Sequence, residues 1–191
     1  MNGAQGAAAP SSMAALLREF PRRGLIEQVV LRPGRGVPAV LVAQAVAVAG
    51  VGLYGDRTAT AAAATTRPGG HKRQVTLIQA EHLPLLAAWS GRRTIDAALL
   101  RRNIVVSGLN LLSARALFAG EVFELHLGDE AVLELTGPCD PCSKMEAVLG
   151  RGGYNAMRGH GGVTARVLRG GRVAVGDEVW VTTTETRAPA A

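Results

Sequence analysis

Short runs of alternating or β-branched apolar residues, each stopped by glycine, recur along this 191-residue chain. Residues 121–127 set Phe123, Leu125 and Leu127 against Val122, Glu124 and His126, a period of two. Gly128-Asp129-Glu130 turns this run into a second one, where Val132, Glu134 and Thr136 alternate with Leu133 and Leu135, so the pair predicts a β-hairpin. Leu25–Leu31, Arg73–Ile78, Asn103–Ser107 and Val163–Leu168 read as further strands, and Val173–Val181 as a strand–turn–strand unit. Pro38–Val51 is rich in alanine, but valines at 40, 42, 46, 48 and 51 favour strand. Helical patterns are few: Ala80–Trp89, and Thr94–Leu100 with Thr94 or Asp96 as N-cap. Ala59–Gly70 reads as a mobile surface loop. No internal repeat and no βαβ rhythm is present. Such a chain predicts a mainly β fold with peripheral α-helices, a closed or partly closed β-barrel.

Hydrophobic residues make up 48% of the chain and aromatics only 4%, so Val, Leu and Ala must build the core. The length suits one domain, expected over residues 25–182. Residues 1–24 read as a flexible segment with a short basic helix within Met13–Arg23, and 183–191 as a flexible tail. No apolar run spans a membrane, and the secretory pattern of charged then apolar residues is missing. Two cysteines make no disulfide framework, so a reducing, cytoplasmic setting is expected. The formal charge of +6 favours an anionic ligand or partner. Nucleic acid is not expected, because the basic residues are not interleaved with aromatics and no nucleic-acid motif appears.

Both cysteines lie in Gly137-Pro138-Cys139-Asp140-Pro141-Cys142-Ser143-Lys144-Met145-Glu146, where a strand pattern gives way to a helix pattern. Ser143 followed by Glu146 reads as a capping box, which places Cys142 just before a helix. Unpaired N–H groups there, with Lys144 nearby, favour a thiolate, the form that attacks electrophiles or binds a soft metal. The alternatives on spacing alone are an inert buried pair, half of a zinc site, or a redox pair. No second Cys pair completes a zinc site, and no α/β rhythm supports the redox pair.

Arg57, Lys72, Arg73, Arg92, Arg93, Arg101 and Arg102 flank strand ends and loops. They form either a solvated basic face or a pocket for a phosphate-bearing ligand, which arginine grips through its planar fork. The histidines 71, 82, 126 and 160 show no metal-ligand spacing. His82 and His126 read as exposed. His160, before Gly161-Gly162, is either part of a backbone cradle for a ligand or part of a plain turn.

These blocks, in order, resemble a family. Gly55-Asp56-Arg57 precedes Arg73-Gln74-Val75-Thr76-Leu77-Ile78 with Glu81, then Arg101-Arg102-Asn103-Ile104-Val105-Val106-Ser107-Gly108. The Pro-Cys stretch follows, then Gly159-His160-Gly161-Gly162 and Val175-Gly176-Asp177-Glu178-Val179. The chain resembles MOSC domain proteins, named for the C-terminal domain of molybdenum cofactor sulfurases, and in particular the stand-alone bacterial type. The resemblance implies a β-barrel like that of pyruvate kinase. It implies that Cys142 is the molybdenum ligand and catalytic residue of a molybdenum–pterin cofactor. Arg57, Arg73, Arg101, Asn103, Lys144 and His160 are the implied cofactor-binding residues. The implied activity is reduction of N-hydroxylated small molecules, with electrons from a separate reductase or ferredoxin-like protein, since no iron–sulfur or flavin signature is present. A sulfur carrier with a persulfide on Cys142 or Cys139, or a non-catalytic cofactor-binding module, are the alternatives. Pyridoxal phosphate is not expected. Family members often carry Arg where this chain has Cys139, which leaves that residue's role open.

Overall fold

The computed structural model describes residues 12–63, 71–117 and 121–185. Its strands are β1 (Gly24–Leu31), β2 (Val40–Val42), β3 (Gln44–Val48), β4 (Gly52–Leu53), β5 (Val75–Gln79), β6 (Ile104–Ser107), β7 (Glu121–Leu127), β8 (Ala131–Pro138), β9 (Val163–Arg169), β10 (Gly171–Ala174) and β11 (Glu178–Glu185). Its helices are α1 (Met13–Leu17), α2 (Arg57–Ala63), α3 (His82–Trp89), α4 (Ala97–Leu100), α5 (Ser143–Leu149) and α6 (Gly153–Met157). Strand order β11-β7-β8-β9-β5-β6-β1 closes on itself, because Gly24 and Leu25 of β1 pair with Val179 and Glu178 of β11. The result is a closed barrel, as the sequence predicts. β2 continues the sheet beyond β1, and β10-β3-β4 form a small second sheet.

The period of two in β7 and β8 is explained by the barrel wall. Leu125, Leu127, Leu133 and Leu135 point into the barrel core with Ile26, Val29, Leu77, Ile104 and Val167, and Phe123 on the same face is buried against Phe20. β5 and β6 behave differently: Val75–Ile78 and Ile104–Val106 are buried without alternation. Here the outer face is covered too. Ile78 and Val105 point outward into a second cluster with Leu86 and Ala87 of α3, Leu100 of α4, Met145 and Leu149 of α5 and Met157 of α6. β5 and β6 are parallel, and the crossover between them carries α3 and α4 over that face. Leu100 of α4 and Lys144 and Met145 of α5, in this layer, line the candidate site together with Thr76 of β5.

Several expectations are corrected. Arg57–Ala63 is a helix, not part of a loop from residue 59; residues 64–70 of that loop lie outside the described residues. Val173–Val181 is a strand–turn–strand as expected, but its strands do not pair with each other: β10 joins β3 in the small sheet and β11 closes the barrel. The glycine-punctuated stretch after Leu149 holds α6. Residues 13–23 are docked: Arg18 pairs with Glu121 at 2.6 Å, and Phe20 meets Phe123 edge to face at 6.2 Å. β11 runs to Glu185, past the expected boundary at 182, paired with β7 throughout. Residues 1–11 and 186–191 lie outside the described residues. Among those described, no helix is long and apolar enough to cross a membrane.

Candidate functional site

β8 ends at Pro138, and the chain passes through Cys139 to Cys142 before α5. The expected capping box is absent. Cys142 itself is the N-cap, in extended backbone, and Ser143 is the first helical residue. Glu146 turns away from the N-cap: its two carboxylate oxygens accept from the backbone N–H of Gly152 at 2.8 Å and Tyr154 at 2.7 Å, tying α5 to α6. Those two bonds hold its carboxyl below the usual carboxylate range. The N-cap position leaves the Cys142 side chain exposed, while Cys139 is buried.

Cys139 is held by a close approach of loops. Its N–H donates to the carbonyl of Gly162 at 2.8 Å. A Cβ on Gly161 would stand 2.4 Å from the Cys139 carbonyl, and one on Gly162, at φ +90°, would stand 2.0 Å from the Leu77 carbonyl. Only glycine fits there, so the pair is packing that seats the cysteine loop on β5. His160, beside them, takes no part in the cleft. Its ring lies edge-on to Trp89 at 4.8 Å and to His82 at 4.9 Å, against α3. The expectation of a ligand-cradling His160 is therefore corrected, and with it that of an exposed His82, whose Nδ1 is buried and without a partner. Burial, then the neighbouring His160, holds His82 below the usual imidazole range.

The two cysteines open onto a cleft of about 530 Å³. Arg35, Arg57, Arg73, Arg101, Arg102 and Lys144 line it, and Asp140 is the acidic residue on its wall. Among the described residues, none of those six cations lies within salt-bridge distance of a carboxylate. Arg32 is the exception in the cleft. Its guanidinium meets Asp56 at 2.8 Å and 2.9 Å, and both side chains are buried. Burial pushes the Asp56 carboxyl up, but the Arg32 guanidinium and the N–H groups of Thr58 and Arg32 outweigh it and hold it at about 2.

From this buried pair the sequence-predicted residues can be placed. Asn103 is fully buried beneath the cleft, not on its lining. Its Nδ2 donates to Asp56 at 2.9 Å and to the Val30 carbonyl at 3.1 Å, while its Oδ1 accepts from the N–H and hydroxyl of Thr76. Asn103 thus positions Asp56. Arg101 does line the cleft, from a left-handed backbone position (φ 58°) that caps α4. Glycine is usual there, and a side chain pays about 1–2 kcal/mol. Its guanidinium offsets this by donating to the carbonyls of Val37 and Gly34 at 3.0 and 3.2 Å, and Arg32 donates to its carbonyl at 3.2 Å. Burial, then Arg57 and Arg32, lower the Arg101 pKa. Arg57, Arg73 and Lys144 are exposed cleft residues, and Arg73 reaches the Cys139 sulfur at 3.8 Å. Arg92, by contrast, caps the C-terminal carbonyls of α5.

Arg102, one of the basic group in the sequence but not among the implied cofactor-binding residues, also lines the cleft. It is buried, and donates to the carbonyls of Gly161 at 2.6 Å, Leu100 at 2.8 Å and Cys139 at 3.3 Å. Burial lowers its pKa, while the thiols of Cys139 and Cys142 act the other way. The signal was the doublet Arg101-Arg102, whose members must face different ways on leaving a helix. Among the described residues, no three His, Cys, Asp or Glu side chains gather to hold a metal ion. The donor set is instead one exposed thiol in a cationic cleft, which fits a metal already carried by an anionic organic chelate with one position left for sulfur.

The comparisons bear on the fold and the family. No curated protein matches the sequence. Solved structures share the fold at low identity. YuaD from Bacillus subtilis is 20% identical with a TM-score of 0.66, covering 86% of this chain and 98% of that one. YiiM from Geobacillus stearothermophilus is 17% identical with a TM-score of 0.60, covering 83% and 75%. YiiM from Escherichia coli is 18% identical with a TM-score of 0.57, covering 87% and 73%. The family model described as "MOSC domain" matches residues 64–180, more than half of the chain. The chain belongs to the MOSC domain family.

Proposed function

We propose that the cleft binds a molybdenum–pterin cofactor with the Cys142 sulfur as a metal ligand, and that the protein reduces N-hydroxylated compounds. The observation that carries this reading is the exposed Cys142 thiol in a cleft of cations unpaired among the described residues. When bound, such a cofactor supplies a two-electron centre able to accept oxygen from an N–O bond. The chain's own part is to bind and orient. Arg35, Arg57 and Arg73 meet anionic groups of the cofactor through charge-assisted hydrogen bonds. Arg101 holds the 34–37 loop over the cleft, and Arg102 fixes the Cys139 carbonyl so that the loop delivers Cys142 in one place. Electrons come from a separate donor protein.

The test is metal content by mass spectrometry on protein made in a host that synthesises the cofactor. Near-stoichiometric molybdenum in the wild type, lost in Cys142→Ala and kept in Cys139→Ala, is expected. A folded wild type without molybdenum overturns the reading. The presence of two free thiols at this cleft favours one alternative, a sulfur carrier. It requires a persulfide on Cys142 or Cys139, visible as a sulfur adduct in the intact mass of metal-free protein.

A further inference from the structure

The chain has two tryptophans and two tyrosines, and one of each stands exposed on the helical layer. Trp89, the last residue of α3, is 52% exposed, and Tyr154 of α6 is 42% exposed. α3 and α6 pack together. Trp89 is held in place, because its ring meets His160 edge-on at 4.8 Å. An aromatic ring fixed in this way loses little freedom when a partner covers it.

Arginines gather around these two rings. Arg92 donates to the Leu149 and Val148 carbonyls, which ties the end of α3 to the end of α5. Arg93 follows it, and Arg151 lies in the turn just past Leu149. Arg158 caps the end of α6, and its carbonyl accepts from His160 Nδ1 at 3.1 Å. Arg93, Arg151 and Arg158 are exposed, and among the described residues none lies within salt-bridge distance of a carboxylate. The Glu146 carboxylate is spent on the N–H groups of Gly152 and Tyr154. None of these arginines lines the cysteine cleft.

Trp, Tyr and Arg are the side chains that carry most binding energy where proteins meet. Arginines without acidic neighbours complement an acidic partner. A membrane surface wants a broader apolar face, and among the described residues of α3 and α6 only Trp89 and Tyr154 are large exposed apolar side chains. The face also has a direct line to the thiol. Leu149 ends the helix that Cys142 caps, seven residues on, or roughly 10 Å at the helical rise.

We propose that this aromatic–arginine face docks the electron donor, and that the donor is a small acidic iron–sulfur protein of the ferredoxin type. Trp89 is the anchor, and Arg93, Arg151 and Arg158 meet carboxylates around it. A one-electron donor must dock twice: reduction of one N–OH bond takes two electrons and two protons and releases one water. The inference rests on the reading of the cleft as the cofactor site, since only then is a donor needed.

The probe is an oxidised, acidic [2Fe–2S] ferredoxin. It is titrated by NMR into protein purified from a host that synthesises the cofactor, with molybdenum measured on the same samples. Trp89→Phe assigns the Trp89 indole N–H signal. The wild type is compared with Arg93→Glu/Arg151→Glu and with an equal change of charge at exposed positions elsewhere, Arg22→Glu/Arg115→Glu. Circular dichroism checks that each variant is folded. Binding that perturbs the Trp89 signal is expected, weakened at least tenfold by the first pair and less than threefold by the second at about 0.15 M salt, where distant charges are screened. No binding, equal weakening by both pairs, or binding that leaves the Trp89 signal unmoved overturns the docking face. So does binding of anionic vesicles or single-stranded DNA to this face as tight as that of the ferredoxin. Each of these results leaves the cofactor reading standing wherever molybdenum is present. Binding through Trp89 and the two arginines to a wild type that holds no molybdenum supports the face and sinks the cofactor reading. A metal-free wild type that binds nothing overturns both.

Discussion

Cys139 and Cys142 are the same residue type three positions apart, and their surroundings make them chemically unlike. Cys142 faces solvent at a helix start, while Cys139 sits under the Gly161 loop with its carbonyl gripped by Arg102. In metal-free folded protein, one thiol should react with a disulfide reagent at once, and two after denaturation. Rapid reaction of both in the folded state would mean that the Cys139 loop opens. Asp56 is the second residue whose setting sets its behaviour. Its carboxyl falls from an ordinary 3.8 to about 2, so the folded state holds its proton less tightly than the unfolded one. The stability this confers is complete above pH 4 and is lost as pH falls toward 2, roughly 2 kcal/mol in all. Asp56→Asn removes the anion from the buried Arg32 guanidinium and should cost about 3–5 kcal/mol in urea unfolding at pH 7. A cost below 1 kcal/mol would show that Arg32 finds another partner.

The elements were unevenly legible. β7 and β8 declared themselves, because one face of each is core and the other is wet. β5 and β6 were legible as strands but not as parallel neighbours beneath helices, since a run buried on both faces carries no alternation. The cysteine–helix junction was found, but its capping was misread: Ser143 and Glu146 have capping-box spacing, yet Glu146 serves α6, an element hidden by its flanking glycines. Glu146→Ala should therefore leave the start of α5 intact and speed amide hydrogen exchange at Gly152 and Tyr154. Faster exchange at Ser143 instead would restore the capping-box account. His160 was misplaced for a related reason. The glycines beside it looked like a cradle for a ligand, whereas what they cradle is backbone, Cys139 and Leu77. Gly162→Ala demands both a strained φ and a shift of β5, and should cost about 2 kcal/mol or more in thermal unfolding.

At the scale of the molecule, the barrel was readable because many short strands with glycine turns and no βαβ units bury their apolar faces most simply by closing on themselves. The cleft was readable only as charge. Residues 35, 57, 73, 101, 102 and 144 come together from five separated stretches, and only folding shows which face one space and which, like Arg92, cap a helix. Their shared field gives a prediction. Pyrophosphate should raise the thermal midpoint of metal-free protein in low salt, and the rise should shrink above about 0.3 M salt as charges are screened. A rise indifferent to salt would argue for a site elsewhere.

The seam between β1 and β11 carries a consequence for how the molecule is made. The barrel's first strand pairs at Gly24 and Leu25 with Val179 and Glu178 of its last. A chain emerging from the ribosome therefore builds β1 early and must keep that edge unpaired until almost everything else has been translated. Local hairpins such as β7–β8 form quickly, but ring closure waits for the most distant contact in the fold. During that interval β1 and β7, the partners of β11, are edges open to other chains. Synthesis paused before Glu178 should accordingly yield a protease-sensitive, aggregation-prone chain that release of the last strand converts to the closed form.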